Sequence, residues 1–210
     1  MFDLMFNSCV IWLANMALAN IGQLSLSKNA LVTIKRSSLP EISAQTKQTW
    51  TRIRHDNSAG GVAYRRVAGQ NGEADTIEIA LIATRGGRRW QLPKGSREAA
   101  ESSLETAIRE VHEEVGLHTR YVAFLKSIDY WYWDTYRKDI PELVHKSVDF
   151  YLLEVTGGTL SDTSYEVDAV GWFTLEDAQR ILTFAGELEV VQMAQSILQA
   201  PTNQHCPIES

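Results

Sequence analysis

Three glutamates, Glu110, Glu113 and Glu114, have a spacing that would let their carboxylates bind one cation. Residues three and four positions apart are neighbours on the surface of an α-helix. Neighbouring carboxylates repel one another unless a positive charge lies among them, and hard divalent cations take oxygen ligands. The spacing therefore indicates a magnesium or manganese site, with a solvated acidic helix face as the alternative.

The segment that carries these glutamates is predicted to be an amphipathic helix. Apolar residues recur at three- and four-residue steps, at Leu104, Ala107, Ile108, Val111 and Val115. At about 100° per residue, the glutamates fall on a different face from this apolar stripe. Gly116 follows at the point where a left-handed residue commonly ends a helix. One rigid element is thus expected to hold all three carboxylates.

The glutamates belong to a longer pattern over residues 95–117. It reads Gly, five residues, Glu, seven residues, Arg-Glu, an aliphatic residue, any residue, Glu-Glu, any residue, Gly and an aliphatic residue. This pattern resembles the Nudix box at every specified position, and the resemblance to the Nudix family covers about residues 57–200. It implies an α/β/α sandwich and hydrolysis of a nucleoside diphosphate linked to another group, by attack of water on phosphorus.

The resemblance also implies roles for residues of the box, with Mg²⁺ or Mn²⁺ as cofactor. The implied metal ligands are Glu110, Glu113, Glu114 and the backbone carbonyl of Gly95. Arg109 is expected to hold a ligand carboxylate in place through its forked donors. Glu101 would play a supporting structural or electrostatic part, or else be a glutamate favoured by the helix dipole.

The general base is left open between a box glutamate and an acid from a loop after the later strands. Glu166 is the first candidate for such an acid, and Asp168 is the second. A surface acid without a catalytic role is an equally good interpretation of either residue.

Cationic and aromatic residues outside the box are candidates for substrate binding. Lys94 directly precedes the box glycine and should direct its ammonium at the phosphate chain, unless it is simply solvated. Weaker phosphate-binding candidates are Arg65, Arg85, His145 and Lys146. Candidates for stacking on a base are Tyr130, Trp131 and Trp133. Aromatics of this kind are often half buried in a core, which is the alternative for these three.

Three short segments suggest the substrate: SAGGVAYR, WQLPKG, and YWYW followed by VHK. They are similar to segments of Nudix hydrolases that act on diadenosine polyphosphates and related compounds. The alternatives are hydrolysis of an ordinary or oxidised nucleoside triphosphate and removal of a 5′ diphosphate from RNA. A nucleotide sensor that binds without turnover is the alternative outside enzymology.

The elements that position these residues can be predicted from periodicity and turn residues. Strands are predicted at residues 62–65, 76–84, 121–133, 144–155 and 170–173, and helices at 175–182 and 187–198. Strands on both sides of a metal-bearing helix, with further helices at the end, predict an α/β fold with a mixed sheet between helical layers. Residues 57–200 are expected to form one domain. Residues 1–56 would be an extension, apolar over 1–24 and then a polar arm, and 201–210 a tail.

Composition indicates which class of partner and which cellular compartment to expect. The formal net charge of −6 argues against a stable nucleic-acid complex, so a small-molecule nucleotide is the expected partner, bound in a locally basic pocket. The two cysteines, Cys9 and Cys206, form neither a disulfide framework nor a zinc site, which favours a reducing, cytoplasmic compartment. Polar residues interrupt the apolar segment 1–24, so no membrane association is expected. A homodimer is left open.

Overall fold

The computed structural model describes residues 39–69, 74–136, 140–162 and 164–200. The described ranges contain seven strands: β1 (Ile53–Val67), β2 (Thr76–Thr84), β3 (Arg89–Gln91), β4 (Lys94–Ser96), β5 (Leu117–Asp134), β6 (Glu142–Gly158) and β7 (Ala169–Thr174). They also contain four helices: α1 (Ala44–Thr49), α2 (Ser103–Val115), α3 (Leu175–Ile181) and α4 (Ala185–Leu198). The apolar segment 1–24, both cysteines and the predicted tail lie outside the described residues.

The seven strands form one sheet in the order β3-β2-β1-β6-β5, with β4 paired to β1 and β7 paired to β2. β1 is antiparallel to β2 and β4, and β2 is antiparallel to β3 and β7. The predicted strand at 76–84 is confirmed, and the other predicted strands and helices are found with shifted ends. The largest shift is in β1, which was predicted at 62–65 and begins nine residues earlier, at Ile53. The two short strands β3 and β4 are additions that periodicity does not reveal, because three residues cannot display an alternation.

The chain divides into two compact units. One contains the residues up to His55 together with Trp131–His145, and the other contains Asp56–Tyr130 and the residues from Lys146 onward. The predicted domain start at residue 57 falls beside this boundary. The predicted arm contains α1 and the beginning of β1. No helix in the described ranges is long and apolar enough to cross a bilayer.

In the larger unit, alternate residues of the sheet face two separate hydrophobic clusters. Along β2, Ile79 and Leu81 enter one cluster, whereas Ala80 and Ile82 enter the other, as the two-residue period of a strand requires. The first cluster also contains residues of α3 and α4: Leu175, Ala178, Val190, Val191 and Ala194. The second contains residues of α2: Ala107, Val111 and Val115. Helices therefore cover both faces of the sheet, and the predicted α/β/α sandwich is confirmed.

In the smaller unit, tryptophans tie the arm to the strand ends. The rings of Trp50 and Trp133 meet edge to face at 4.7 Å. Trp50 Nε1 donates to the Pro141 carbonyl at 3.2 Å, and Trp133 Nε1 donates to the Pro40 carbonyl at 3.1 Å. Each indole N–H thus has a backbone acceptor, and the ring contact and the two hydrogen bonds together hold both side chains in place.

Helix α2 has strong start and stop residues. Ser102 accepts the Glu105 N–H while the Glu105 carboxylate accepts the Ser102 N–H, which is a capping box. Gly116 ends the helix with φ of 74°, a left-handed conformation that glycine adopts at little cost. These caps determine where the helix that carries the box glutamates begins and ends.

We predict that Gly60→Ala destabilises the protein by about 1–3 kcal/mol, the usual cost of overpacking. The added Cβ would overlap the Pro93 carbonyl oxygen and lie 2.5 Å from Lys94 Cβ, so β4 would have to move. Urea unfolding measures the change. Gly157→Ala is the matched control, because its Cβ would meet nothing closer than 3.9 Å, at His118. Equal stability of the two variants would contradict the prediction.

Candidate active site

Strand β4 brings Gly95 directly under the carboxylate of Glu110. A Cβ at position 95 would overlap the Glu110 carboxylate group. Pairing of Gly95 with Ala59 of β1 holds β4 at this distance from α2. The first glycine of the pattern is therefore required by close packing, and its backbone lies beside a predicted metal ligand.

Arg109 is the cation around which the box carboxylates gather. Its Nε lies 2.6 Å from Glu101 Oε1, and its Nη1 lies 2.9 Å from Glu110 Oε1 and 2.8 Å from Glu113 Oε2. Its Nη2 donates to the Ser96 carbonyl at 3.0 Å and to Glu101 at 3.0 Å. One guanidinium thus fixes three carboxylates and the end of β4, and these carboxylates raise the pKa of Arg109.

Glu101 is the most strongly held of these carboxylates. The hydrogen bonds from Arg109 lower its pKa to about 2, and hydrogen bonds from the Thr106 hydroxyl and the Glu98 N–H act in the same direction. Glu101 therefore stays ionised and orients Arg109, which in turn holds Glu110 and Glu113. These contacts agree with the supporting part expected for Glu101.

Glu114 is the most buried of the three box glutamates, with 8% of its surface exposed. Burial raises its pKa to about 7, although the Lys94 N–H, which donates to Glu114 Oε2 at 2.7 Å, lowers it. Burial also raises the pKa of Glu110, against the effect of Arg109. Repulsion from Glu110 and Glu166 raises the pKa of Glu114 further, and repulsion from Glu113 and Glu166 raises the pKa of Glu110.

The donor atoms fit a hard divalent cation. They are carboxylate oxygens and a backbone carbonyl, the ligands that Mg²⁺ and Mn²⁺ prefer. Burial first, and repulsion from neighbouring carboxylates second, raise the pKa values of Glu110 and Glu114, so a bound cation would favour their ionised forms. Across the described ranges, no group of three or more His, Cys, Asp or Glu side chains is already gathered to hold a metal. The side chain of Glu113 is 55% exposed and bound to Arg109.

A cavity of about 570 Å³ opens beside Glu114 in the larger unit. This volume suits a small-molecule ligand. Its polar lining residues are Thr84, Arg89, Gln91, Lys94, Glu114, Lys146, Glu166 and Glu187. Its apolar and aromatic lining residues are Ile128, Tyr130, Val148, Phe150, Phe184 and Ala185, with Gly186. Five predicted site residues thus meet there: Lys94, Glu114, Tyr130, Lys146 and Glu166.

The ammonium of Lys94 is bound to protein acceptors. Lys94 Nζ lies 3.0 Å from Glu187 Oε1, 3.0 Å from Gln91 Oε1 and 3.3 Å from the Leu92 carbonyl. Glu187 is 4% exposed and was not singled out from the sequence. A glutamate in the first turn of a helix is ordinary, because the helix dipole favours it, so nothing in the sequence marks this one. A contact of Lys94 with phosphate stays a prediction.

The two candidate bases differ in their surroundings. Glu166 is exposed on the cavity wall, and its Oε1 accepts the Tyr165 hydroxyl at 2.7 Å. Asp168 Oδ2 accepts the N–H groups of Gly86 at 2.7 Å and Gly87 at 3.4 Å. Asp168 therefore stabilises the turn between β2 and β3, which favours Glu166 as the candidate base.

Arg65 and Arg85 do not line the cavity formed by the described residues. Arg65 forms an ion pair with Glu78 at 2.6 Å, and its guanidinium lies 4.1 Å from the ring of Trp172. Arg85 is in the β2–β3 turn with φ of 58°. Their predicted contacts with phosphate remain predictions.

Trp131, Trp133 and His145 belong to the smaller unit. Trp131 stacks on His145 with ring centroids 4.4 Å apart, and Lys47 Nζ lies 5.1 Å from the Trp131 ring. His145 Nδ1 is 3.3 Å from His55 Nδ1. Trp133 is held by Trp50, as described above. Base stacking by these tryptophans and phosphate binding by His145 stay predictions.

Besides Glu187, the cavity residues that sequence reasoning missed include Thr84, Arg89, Gln91 and Phe184. The Arg89 guanidinium lies 4.8 Å from the Phe184 ring centroid. Arg89 and Gln91 are two positions apart in β3 and so face the same side of the sheet. That alternation, directly before the box, was the sequence signal that the side chains of Arg89 and Gln91 share one surface. Phe184 approaches it only through the tertiary fold.

We predict that metal-free protein becomes less stable as the pH rises from about 4.5 toward 7. Glu114 has a pKa of about 7 in the folded state, above the ordinary glutamate value of 4.5, so the folded state binds more protons in this window. The loss amounts to about 3 kcal/mol at most. Glu101 acts only below this window, because its pKa is lowered.

Urea unfolding in a chelator at pH 5 and pH 8 measures this effect, with Glu114→Gln as the comparison. The variant should show a smaller decrease, with the raised pKa of Glu110 accounting for the remainder. Identical pH dependence in the wild type and the variant would contradict the assignment.

Known proteins share this domain and its fold. A family model of the NUDIX domain matches residues 69–193. A Mycobacterium tuberculosis protein that carries the name mutator protein MutT4 is 35% identical over 168 residues, which are 79% of this chain and 64% of that protein. The asymmetrical bis(5'-nucleosyl)-tetraphosphatase of Sus scrofa is 29% identical over 147 residues, covering 67% of this chain and 94% of the relative.

A solved structure agrees with these matches. The crystal structure of a C. elegans Ap4A hydrolase binary complex superposes with a TM-score of 0.51 at 26% identity, over 68% of this chain and 97% of that one. The chain spans less than two thirds of the Mycobacterium tuberculosis relative. The complete box, the α/β/α sandwich and the domain match together establish that the chain belongs to the Nudix family.

Proposed function

We propose that this protein hydrolyses a diphosphate linkage in a nucleoside polyphosphate derivative, with a diadenosine polyphosphate or a related nucleotide as substrate. The observation that carries this proposal is the composition of the cavity. Its wall combines a buried box carboxylate, Glu114, with the cations Arg89 and Lys146 and the rings of Tyr130 and Phe184. Anion-binding, base-binding and metal-binding groups are the three requirements of such a substrate.

Each kind of group has a separate task. Cationic side chains bind phosphate oxygens through charge-assisted hydrogen bonds. They supply a local positive charge that a chain of net charge −6 otherwise lacks. Aromatic rings can stack on a nucleobase, which contributes about 1–3 kcal/mol per base when the stack forms. Together they would hold a nucleotide with its phosphates toward Glu114.

A divalent cation fits the proposal, with Glu110, Glu113, Glu114 and the Gly95 carbonyl as the residues that would hold it. When bound, such an ion polarises phosphoryl oxygens and lowers the pKa of water. Arg109 keeps Glu110 and Glu113 oriented in its absence, at 2.9 Å and 2.8 Å. The divalent ion itself, Mg²⁺ or Mn²⁺, is the cofactor of this proposal.

Glu166 is proposed as the general base. It is exposed to the cavity, and the hydroxyl of Tyr165 orients its carboxylate at 2.7 Å. Its repulsion with Glu110 and Glu114 raises their pKa values, so it lies within electrostatic range of both. A carboxylate at this position can accept the proton of an attacking water.

The comparisons support a diadenosine polyphosphate as the leading substrate. The pig relative is named for asymmetrical cleavage of bis(5'-nucleosyl) tetraphosphates, and the nematode structure is that of an Ap4A hydrolase. The name of the mycobacterial relative, a mutator protein, supports the nucleoside triphosphate alternative. A small-molecule partner and a cytoplasmic location accompany this proposal.

A substrate panel with Mg²⁺ tests the proposal. It contains diadenosine polyphosphates, ordinary and oxidised nucleoside triphosphates, nucleotide sugars and diphosphorylated RNA, with products separated by chromatography. We expect release of ATP or ADP from a diadenosine compound. Fastest turnover of a triphosphate or of RNA would instead select one of the alternatives. Tight nucleotide binding without any turnover would identify a sensor.

Glu113→Gln should reduce kcat by roughly 100-fold or more, because removal of a metal ligand forfeits several kcal/mol of transition-state stabilisation. Circular dichroism should show an intact fold, since the Glu113 side chain is 55% exposed. Glu176→Gln, whose side chain on α3 is 81% exposed, is the matched control and should keep wild-type turnover. Wild-type turnover by folded Glu113→Gln would refute the metal-dependent mechanism.

Glu166→Gln should lower kcat by about 10²–10⁴-fold, the usual contribution of a general base. The affinity for Mn²⁺ should change little, because Glu166 is not among the proposed ligands. Asp168→Asn is the comparison, since Asp168 only binds the turn amides of Gly86 and Gly87. A normal rate for Glu166→Gln with a slow Asp168→Asn would reverse the assignment.

A further inference from the structure

A buried carboxylate of helix α4 is connected to the box by three consecutive contacts. Glu187 Oε2 accepts the Leu92 N–H at 2.9 Å, and Glu187 Oε1 forms an ion pair with Lys94 at 3.0 Å. The backbone N–H of the same Lys94 donates to Glu114 Oε2 at 2.7 Å. Lys94 thus binds Glu187 with its side chain and Glu114 with its backbone.

These contacts fix the short segment between β3 and β4 at each residue. Leu92 is held by Glu187, and the Pro93 carbonyl accepts the Gly61 N–H at 3.1 Å. Lys94 is held at both its ends, as described above. The next residue, Gly95, carries the backbone carbonyl proposed as a metal ligand. The position of this carbonyl therefore depends on the segment 92–94.

Because Glu187 is buried, breaking its contact with Lys94 would be costly in free energy. Glu187 is 4% exposed, and removing an ionised carboxylate from water costs several kcal/mol unless partners compensate it. The compensating partners are the Lys94 ammonium, the Leu92 N–H and the N-terminal end of the α4 dipole. Movement of Glu187 away from this position would leave the largely buried Lys94 ammonium without its carboxylate partner.

We propose that Glu187 is a positioning residue for the metal site, which acts through Leu92 and Lys94 on Glu114 and Gly95. It contacts neither the cation nor the reacting phosphorus. Partners that orient a metal ligand usually change metal affinity or activity by about 10–100-fold when they are removed. This inference rests on the proposed cation site, and it can be tested without nucleotide.

The test compares Glu187→Gln with the wild type by Mn²⁺ titration, following free Mn²⁺ by electron paramagnetic resonance. The amide can still accept from Leu92 but loses the ion pair with Lys94. We expect Mn²⁺ affinity to fall by roughly 10-fold. In the absence of metal, hydrogen exchange of the Leu92 and Lys94 amides should be faster in Glu187→Gln than in the wild type. The control is Glu189→Gln on the same helix, a 57% exposed side chain paired with Lys126.

A coupling measurement separates positioning from general loss of stability. In a Glu114→Gln background, Glu187→Gln should have a smaller further effect on Mn²⁺ affinity, because only its route through Gly95 remains. An equal loss in both backgrounds would overturn the proposal. So would unchanged Mn²⁺ affinity in folded Glu187→Gln. A higher KM for nucleotide with unchanged Mn²⁺ affinity would instead make Glu187 a substrate contact.

A second variant covers the case in which Glu187→Gln does not fold. The double variant Glu187→Met with Lys94→Met replaces the buried ion pair by apolar side chains of similar length, which is often neutral or stabilising. We expect it to fold and to bind Mn²⁺ more weakly than the wild type. Wild-type affinity in this variant would overturn the proposal. Because Mn²⁺ binding is measured without nucleotide, a failed substrate panel and a failed positioning role are distinguishable.

Discussion

Mutual repulsion of carboxylates is the constraint on which this site depends. The box and its surroundings place Glu101, Glu110, Glu113 and Glu114 within reach of one guanidinium or one backbone segment. Arg109 neutralises part of that charge, and burial, together with the repulsion that is left, raises the pKa values of Glu110 and Glu114. A bound cation would remove the remainder. The same repulsion that destabilises the metal-free protein therefore provides affinity for metal, since binding replaces protons on these groups.

Close backbone approach makes this crowding possible. Gly95 leaves room for the Glu110 carboxylate, and Gly60 lets β1 lie against Pro93 and Lys94. A side chain at position 60 would force Pro93 and Lys94 away from β1, and one at position 95 would displace the Glu110 carboxylate. The sandwich then supplies rigidity, because α2 is buried on the sheet through one cluster while α3 and α4 cover the other face. A rigid scaffold limits how far the carboxylates can separate to relieve their repulsion.

The cavity joins this charged region to an apolar wall. Lys94 lies at the junction, with its backbone on Glu114 and its ammonium on the buried Glu187. The ion pair compensates the burial of both groups and connects helix α4 to the box. The C-terminal helix thus has two tasks: it packs on the sheet, and its first turn lines the cavity beside Phe184.

The amino-acid sequence by itself determined the family, the course of α2 with its capping residues and glutamates, and the strands whose alternation is long enough to read. These features are local, because they follow from spacing within one element. Tertiary structure alone decided that Glu187 pairs with Lys94, that Arg89 faces Phe184, and that Glu114 is buried enough to raise its pKa. Leu92 and Glu187 are 95 residues apart in the chain, and a contact over that distance leaves no mark in local periodicity. The burial of a charge depends on every element packed around it, so only the assembled fold can decide it.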